Sequence, residues 1–215
     1  MFTGIIEEIG TIDQIKHGQH SAILKIHAKK VLKNTQIGDS IAVNGICLTV
    51  TETFPHHFSA DVMHETLNRS SLANLIHGSR VNLERAMPSN GRFGGHLVMG
   101  HADGVGTITH IQRDDTAVWY TIQTKPDIMR YIVEKGSVTV DGISLTVSRI
   151  GQTDFSVSAI PHTINHTILQ ERRKNDMVNL ETDIIGKYVE KLLLPAPEQS
   201  EKKLITKDFL TQHGF

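Results

Sequence analysis

Apolar and polar residues alternate with a period of two along much of this chain, and one alternating block is written twice. Residues 40–50 read SIAVNGICLTV and residues 137–147 read SVTVDGISLTV. In each block two short β-branched runs flank Asn-Gly or Asp-Gly, residues that tolerate the positive φ of a two-residue hairpin. Asn44-Gly45 and Asp141-Gly142 are therefore expected to be hairpin turns. Past the first turn, Ile46, Leu48 and Val50 fall on one face, and Cys47, Thr49 and Thr51 on the other. Past the second, Ile143, Leu145 and Val147 oppose Ser144, Thr146 and Ser148.

The two blocks are offset by 97 residues, Gly142 against Gly45, and the offset persists downstream. Phe58-Ser59 falls on Phe155-Ser156, Thr66 on Thr163 and Leu72 on Leu169. Val81-Asn82-Leu83-Glu84 falls on Val178-Asn179-Leu180-Glu181. Upstream, Gly10-Thr11-Ile12 meets Gly106-Thr107-Ile108 at an offset of 96, so a one-residue indel lies between. Two copies of roughly a hundred residues have the size of small domains rather than solenoid units. The Pro- and Gly-bearing run AMPSNGRFGG, residues 86–95, marks the break, and the second copy starts at about His96. Short strands with turn punctuation predict a mainly β protein with one small closed barrel per copy. Residues 65–72 and 163–169 are expected to add one short helix each.

The C-terminal stretch follows a different period. Ile185, Tyr188, Val189, Leu192 and Leu193 recur at helical spacing after a candidate N-cap at Asp183, and Pro195 is expected to stop the helix. Such a helix either docks on its own barrel or joins neighbouring chains, and the spacing fits both. The tail, residues 198–215, is charged, then carries Leu204, Ile205, Phe209 and Leu210, and is expected to be mobile. The expected domains are 1–95, 96–183 and a helical segment with tail at 184–215.

Composition narrows the classes. With 39% hydrophobic and 21% charged residues and a net charge of −1, the chain carries no broad field for nucleic acid or an anionic membrane. A single cysteine rules out an intramolecular disulfide and fits a reducing compartment. The N-terminal MFTGIIEEIG lacks the basic and apolar regions of a signal peptide, and no run of eighteen apolar residues occurs, so a soluble cytoplasmic protein is expected.

Chemistry is most informative where the copies differ. Cys47 stands against Ser144, and a thiol is softer and more acidic than a hydroxyl, so equivalent pockets would do unequal work. The alternative is a small buried apolar Cys47 and a solvent-facing Ser144. Asp141 is explained first by its turn, with a carboxylate that holds a proton or orients an amine as the alternative. Of 13 histidines, the pairs His96/His101 and His162/His166 lack a recognised metal-ligand spacing, and no metal is expected. His101, in GHADGVG, is a candidate base near neutral pH. GxGxxG after a strand, GxxxxGK[ST] and GxSxG are all missing, which removes the nucleotide-binding and serine-hydrolase readings.

The N-terminal Met-Phe-Thr-Gly-Ile-Ile, the paired NGICLTV and DGISLTV blocks, and GGHLVMGH between them resemble the riboflavin synthase family, with its duplicated lumazine-binding domain. The resemblance runs from Met1 to about Leu193. It implies two tandem six-stranded Greek-key β-barrels, each binding one 6,7-dimethyl-8-ribityllumazine, and a C-terminal α-helix that assembles a homotrimer. The complete site would form between the N-terminal barrel of one chain and the C-terminal barrel of its neighbour. There one lumazine would give four carbons to the other, yielding riboflavin and 5-amino-6-ribitylamino-uracil without metal or cofactor. Some bacterial members are enclosed by lumazine synthase, which becomes an implied partner. Antenna proteins of the same fold bind a lumazine or flavin and catalyse nothing. They are expected to lose matching residues in the second copy, and the presence of His101, Asp141, Ser144 and Thr146 favours the enzyme. A duplicated flavin-domain reductase would need a nicotinamide site, which no motif supplies.

By the same resemblance the catalytic set is Phe2, Cys47, Thr49, His101, Asp141, Ser144, Thr146 and Asp183. His101 and Thr146 are candidates for moving the proton of the C7 methyl, and Ser144 and Cys47 for standing near the ring carbons under attack. Asp141 and Asp183 would orient groups or relay protons. Implied ligand contacts begin with Gly4, Ile5 and Ile6, then Cys47, Leu48 and Thr49. Asp61, Val62, Met63, His64, Glu65 and Thr66 follow, with Gly100, His101 and Ala102. The second site adds Lys135, then Ser144, Leu145 and Thr146, then Ile160, Pro161, His162, Thr163, Ile164 and Asn165. Backbone amides and carbonyls would read the pteridine edge.

Overall fold

The computed structural model describes residues 1–194, 207–212 and 214. Its first closed barrel comprises β1 (Glu8–His17), β2 (Ser21–His27), β3 (Ser40–Val43), β4 (Ile46–Phe54), β5 (His57–Met63) and β6 (Arg80–Arg85). They pair antiparallel in the order β1-β2-β5-β4-β3-β6, and β6 returns to β1. The second comprises β7 (Gly104–Asp114), β8 (Ala117–Gln123), β9 (Ser137–Val140), β10 (Ile143–Ile150), β11 (Asp154–Ala159) and β12 (Met177–Thr182), paired the same way. Closure leaves neither sheet with an open edge. Even the bulges repeat: the register shifts between Ile12 and Gln14, and again between Ile108 and His110.

Both expected hairpins form. Asn44 (φ 47°) and Gly45 (φ 78°) connect paired Val43 and Ile46, and Asp141 (φ 48°) and Gly142 (φ 79°) connect Val140 and Ile143. Positive φ at both turn residues matches the twist of the strands and explains the residue choice. The predicted alternation holds: Ile46, Leu48 and Val50 lie in the first core, Ile143, Leu145 and Val147 in the second. Each core centres on equivalent residues, Ile26 and Phe58 in one and Ile122 and Phe155 in the other.

The expected helices are shorter and broken. α1 (His64–Arg69) is followed by a separate 3-10 turn at Ser71–Asn74. A second short helix, α2 (Pro126–Met129), lies between β8 and β9. α3 (Pro161–Asn165) is likewise followed by a 3-10 turn at Ile168–Glu171. The breaks fall at Ser70 and Thr167, which adopt extended backbone. Ser70 Oγ donates to the Thr66 carbonyl (2.6 Å) and accepts from Leu72 N–H, and Thr167 does the same with Thr163 and Leu169. A hydroxyl that satisfies both sides of the break competes with helix continuation.

The barrels meet through their hairpin turns. A Cβ on Gly45 would stand 2.7 Å from Gly142 N, and one on Gly142 the same distance from Gly45 N. Asn82 Nδ2 donates to the Asp141 carbonyl (3.0 Å), while Asn179 Nδ2 donates to the Asn44 carbonyl (2.8 Å). Their side-chain oxygens accept from Ile168 N–H and Ser71 N–H, so each asparagine binds its own barrel to the other. These exchanged bonds relate the copies by an approximate two-fold.

Residues Met1–Ile184 form one compact unit and Ile185–Phe215 a second. Across that division runs α4 (Ile184–Leu193), whose Ile185, Tyr188, Val189 and Leu192 are exposed. Pro195 and most of the tail lie outside the described residues, but α5 (Lys207–Gln212) adds a turn and a half of helix where no element was expected. Among the described residues, no helix is long and apolar enough to cross a membrane.

Candidate functional site

Strands β4 and β10 offer matched outer faces, because their odd and even residues alternate between core and surface. Thr49 and Thr146 are exposed, whereas Cys47 and Ser144 are half-buried. What half-buries them is the segment preceding each barrel, and the two segments are exchanged. Residues 2–6 precede the first barrel but dock on the second: Ser144 N–H donates to the Gly4 carbonyl (2.8 Å) and Ile6 packs on the second core. Residues 98–102 precede the second barrel but dock on the first: Cys47 N–H donates to the Gly100 carbonyl (2.8 Å) and Ala102 packs on the first core. The straps also pair with each other through Phe2 and Val98.

Two glycines make these approaches possible. Gly4 (φ 78°) lies so close to Ser144 that a Cβ would sit 2.6 Å from the serine Cβ. Gly100 (φ 79°) has the same relation to Cys47 at 2.7 Å, with the Phe2 ring at 2.8 Å. Positive φ and missing space both demand glycine.

This exchange regroups the expected contacts. Gly4, Ile5 and Ile6, placed by resemblance with Cys47, belong with Ser144, Leu145 and Thr146. The first-barrel site gathers Cys47, Leu48 and Thr49 with Gly100, His101 and Ala102. Because β4 and β5 are antiparallel, the expected contacts Asp61, Val62 and Met63 lie at the end of β5 beyond the Val50–Ala60 pair, and His64, Glu65 and Thr66 follow at the start of α1. The expected contacts Ile160, Pro161, His162, Thr163, Ile164 and Asn165 occupy the equivalent place in the second copy, where β11 leads into α3. Exposed Lys135 (φ 65°) sits in the turn before β9, its N–H bonded to the Val147 carbonyl. Met63, Ile160 and Ile5 are 71%, 60% and 48% exposed, apolar surface suited to a flat ring.

The chemistry of the two sites is unequal. Cys47 packs in a small apolar cluster with Phe2, Ala42, Val98 and Ala86, which supports its apolar reading. Ser144 Oγ lies 2.8 Å from His96 Nδ1. With the ring proton on Nε2, Nδ1 accepts the serine hydroxyl. His96 Nε2 is buried and has no hydrogen-bond partner among the described residues. Burial pushes the imidazole below its ordinary value, and the negative charge of Asp183 opposes that. Ser144 and His96 are thus in direct contact, and the charge of Asp183 reaches the imidazole. The sequence offers His96 only as half of the His96/His101 pair, because the first copy has no equivalent histidine and no local spacing ties it to Ser144.

Asp141 stands elsewhere. It is fully buried at the junction, where Oδ2 accepts from Arg172 Nε (3.0 Å) and Nη2 (2.5 Å), and Oδ1 from Asn179 N–H (2.9 Å). Burial pushes its carboxyl up, and Arg172 pulls it back. In the first copy the equivalent residues are Asn44 and Leu75. His162 and His166 stack at 4.2 Å. Among the described residues, no group of three or more His, Cys, Asp or Glu side chains is placed to hold a metal ion.

The lumazine binding domain family model matches residues 3–86 and 99–183. Over all 215 residues and the full length of both chains, the sequence is 54% identical to the riboflavin synthase of Actinobacillus pleuropneumoniae. It is 49% identical, again over both full lengths, to that of Bacillus subtilis. Among solved structures, LumP complexed with riboflavin superposes with a TM-score of 0.79 at 25% identity, covering 85% of this chain and 99% of that one.

Proposed function

Because the chain belongs to the lumazine binding domain family, we infer that it is an enzyme performing the riboflavin synthase reaction, a transferase of the riboflavin pathway. Two molecules of 6,7-dimethyl-8-ribityllumazine react. One gives up four carbons and leaves as 5-amino-6-ribitylamino-uracil, and the other receives them to become riboflavin. The observation that carries this reading is a pair of equivalent strand positions with unequal chemistry, one holding Ser144 against His96 and the other Cys47 in an apolar cluster. A carrier of one chromophore needs neither the pair nor the inequality. Identity of 49–54% over whole chains also separates it from the antenna reading.

In this reading both sites recognise the same pteridine and ribityl chain, so the binding residues repeat. The donor and acceptor molecules need different proton chemistry, so the reactive residues differ. Ser144 and Cys47 stand nearest the ring carbons under attack, with His96 taking or returning the serine proton and Asp183 stabilising the imidazolium. His101 and Thr146 move the proton of the C7 methyl. His101 lies in the strap on the first barrel and Thr146 on the second, so their cooperation calls for two barrels facing each other across neighbouring chains. Phe2 and Thr49 serve as packing and hydroxyl contacts. We assign Asp141 to the junction, on the strength of its bonds to Arg172 and Asn179.

The trimer belongs to the same proposal, as do the domains 1–95, 96–183 and 184–215. The apolar face of α4, with Leu192 82% and Tyr188 61% exposed, suits packing against copies of itself. Truncation before Ile184 is expected to leave folded, monomeric barrels by sedimentation, and a trimer without that segment would remove the helix from the assembly. A cytoplasmic setting and enclosure by lumazine synthase are further parts of the proposal.

The test of function is direct. Purified protein is mixed with 6,7-dimethyl-8-ribityllumazine alone, with chelator present, and riboflavin is followed by its long-wavelength absorbance. One riboflavin per two lumazines consumed is expected. Tight binding without riboflavin would make the protein a chromophore carrier.

A further inference from the structure

The repeated Val-Asn-Leu-Glu block contains a glutamate in each copy that the mechanism above does not use. Glu181, at the end of β12, is buried, and among the described residues no lysine or arginine bonds to it. Its Oε1 accepts from Met99 N–H (2.6 Å), and its Oε2 from Gly100 N–H and His101 N–H, both at 3.0 Å. Glu84, at the end of β6, is its equivalent. It accepts from Thr3 N–H and Oγ1 (both 2.7 Å) and from Gly4 N–H (3.0 Å). Each carboxylate thus grips the strap of its own copy at the point where that strap crosses to the other barrel.

A carboxylate receiving three N–H bonds holds a short backbone segment more firmly than a neutral acceptor can, since bonds to an ionised acceptor are about twice as strong. The segment held by Glu181 carries His101 and the carbonyl that meets Cys47. We propose that Glu181 is a positioning residue for the first-barrel site and Glu84 for the second, each fixing the strap on which the opposite barrel's pocket depends. The proposal rests on the riboflavin synthase reading. It assigns to these glutamates the placement of His101 and of Gly4 against Ser144, without contact to substrate.

Glutamine is close in size but has one oxygen fewer. In Glu181→Gln the amide either leaves Met99 N–H facing an NH2 donor or leaves the Gly100 and His101 N–H groups facing one. A displacement of the strap by about an ångström is sufficient to cost roughly 100-fold in turnover.

The experiment measures riboflavin formation and melting temperature for the full-length protein, E181Q, E181D and the core-trimming control Ile122→Val. Expected for E181Q is a kcat about 10- to 100-fold lower with KM within about threefold of the parent. E181D, which keeps the charge on a shorter arm, should recover part of the loss. The control should lower the melting temperature without that loss of kcat. Unchanged kcat in E181Q, or a loss that the control matches, would overturn the proposal. Should E181Q not fold, E181D decides: lowered kcat at near-parental KM supports the positioning role, and parental kcat removes it. Failure of the parent protein to make riboflavin would instead strike the functional reading itself.

Discussion

Replacing Ser144 by alanine is expected to lower turnover about 100- to 10,000-fold while leaving lumazine affinity within a few-fold, measured by steady-state riboflavin formation and fluorescence titration. The hydroxyl is the group that His96 Nδ1 addresses at 2.8 Å, and its removal leaves the imidazole nothing to exchange a proton with. The bond from Ser144 N–H to the Gly4 carbonyl, by contrast, is a backbone contact that the substitution does not touch. The pH dependence checks the same pair. His96 is held below its ordinary value of 6.5 by burial, so the neutral, proton-accepting form persists into acid. The acid limb of kcat should therefore lie below pH 6.5, and His96→Gln should abolish it. Stability should follow the same sign. A histidine depressed in the folded state contributes stability above its unfolded pKa, and that contribution is lost as pH falls through the folded one. An unaltered rate in Ser144→Ala would remove the serine from the chemistry.

Arg172→Ala is expected to destabilise the protein by about 3–5 kcal/mol, because it leaves the Asp141 carboxylate fully buried without its counter-charge. At this chain length that corresponds to a fall in melting temperature of roughly 6–20 °C. The first copy shows how to undo the damage. Its residues equivalent to Asp141 and Arg172 are Asn44 and Leu75, so Asp141→Asn with Arg172→Leu rebuilds the uncharged arrangement. That double variant should recover most of the stability. The recovery should be incomplete, since Asn44 Nδ2 is itself buried without a hydrogen-bond partner and a second such amide would be created. Its turnover should match that of the parent. A stable double variant that makes no riboflavin would return Asp141 to the reactive groups, as the family resemblance suggested.

Local signals carried the sequence reading where they sufficed. The Asn-Gly and Asp-Gly turns demanded positive φ, and the period-two runs on either side placed Ile46, Leu48 and Val50 inside, all of which the fold repeats in its second copy. One short helix per copy is expected over residues 65–72 and 163–169, yet the hydroxyls of Ser70 and Thr167 break each of them. That competition is decided by one side chain each, which a periodicity averages away. Asp141 could be read as a turn residue or as an acid. The charge of Arg172, 31 residues away and brought in by folding, is the observation behind the junction role proposed for it.

The sequence alone therefore determined the duplication, the strand pattern and the inequality of Cys47 and Ser144, since each is written in neighbouring residues or in the offset between copies. Tertiary structure decided which strap serves which pocket. Gly4 and Cys47 lie in one copy, so chain order groups them, but the straps cross at the two-fold junction and give Gly4 to Ser144 and Gly100 to Cys47. It also decided that His96 meets Ser144 and that Glu84 and Glu181 hold the straps. The physical reason is that the barrels close through short-range pairing, whereas their pockets are completed by contacts between residues roughly 50 to 140 positions apart, which no local period records.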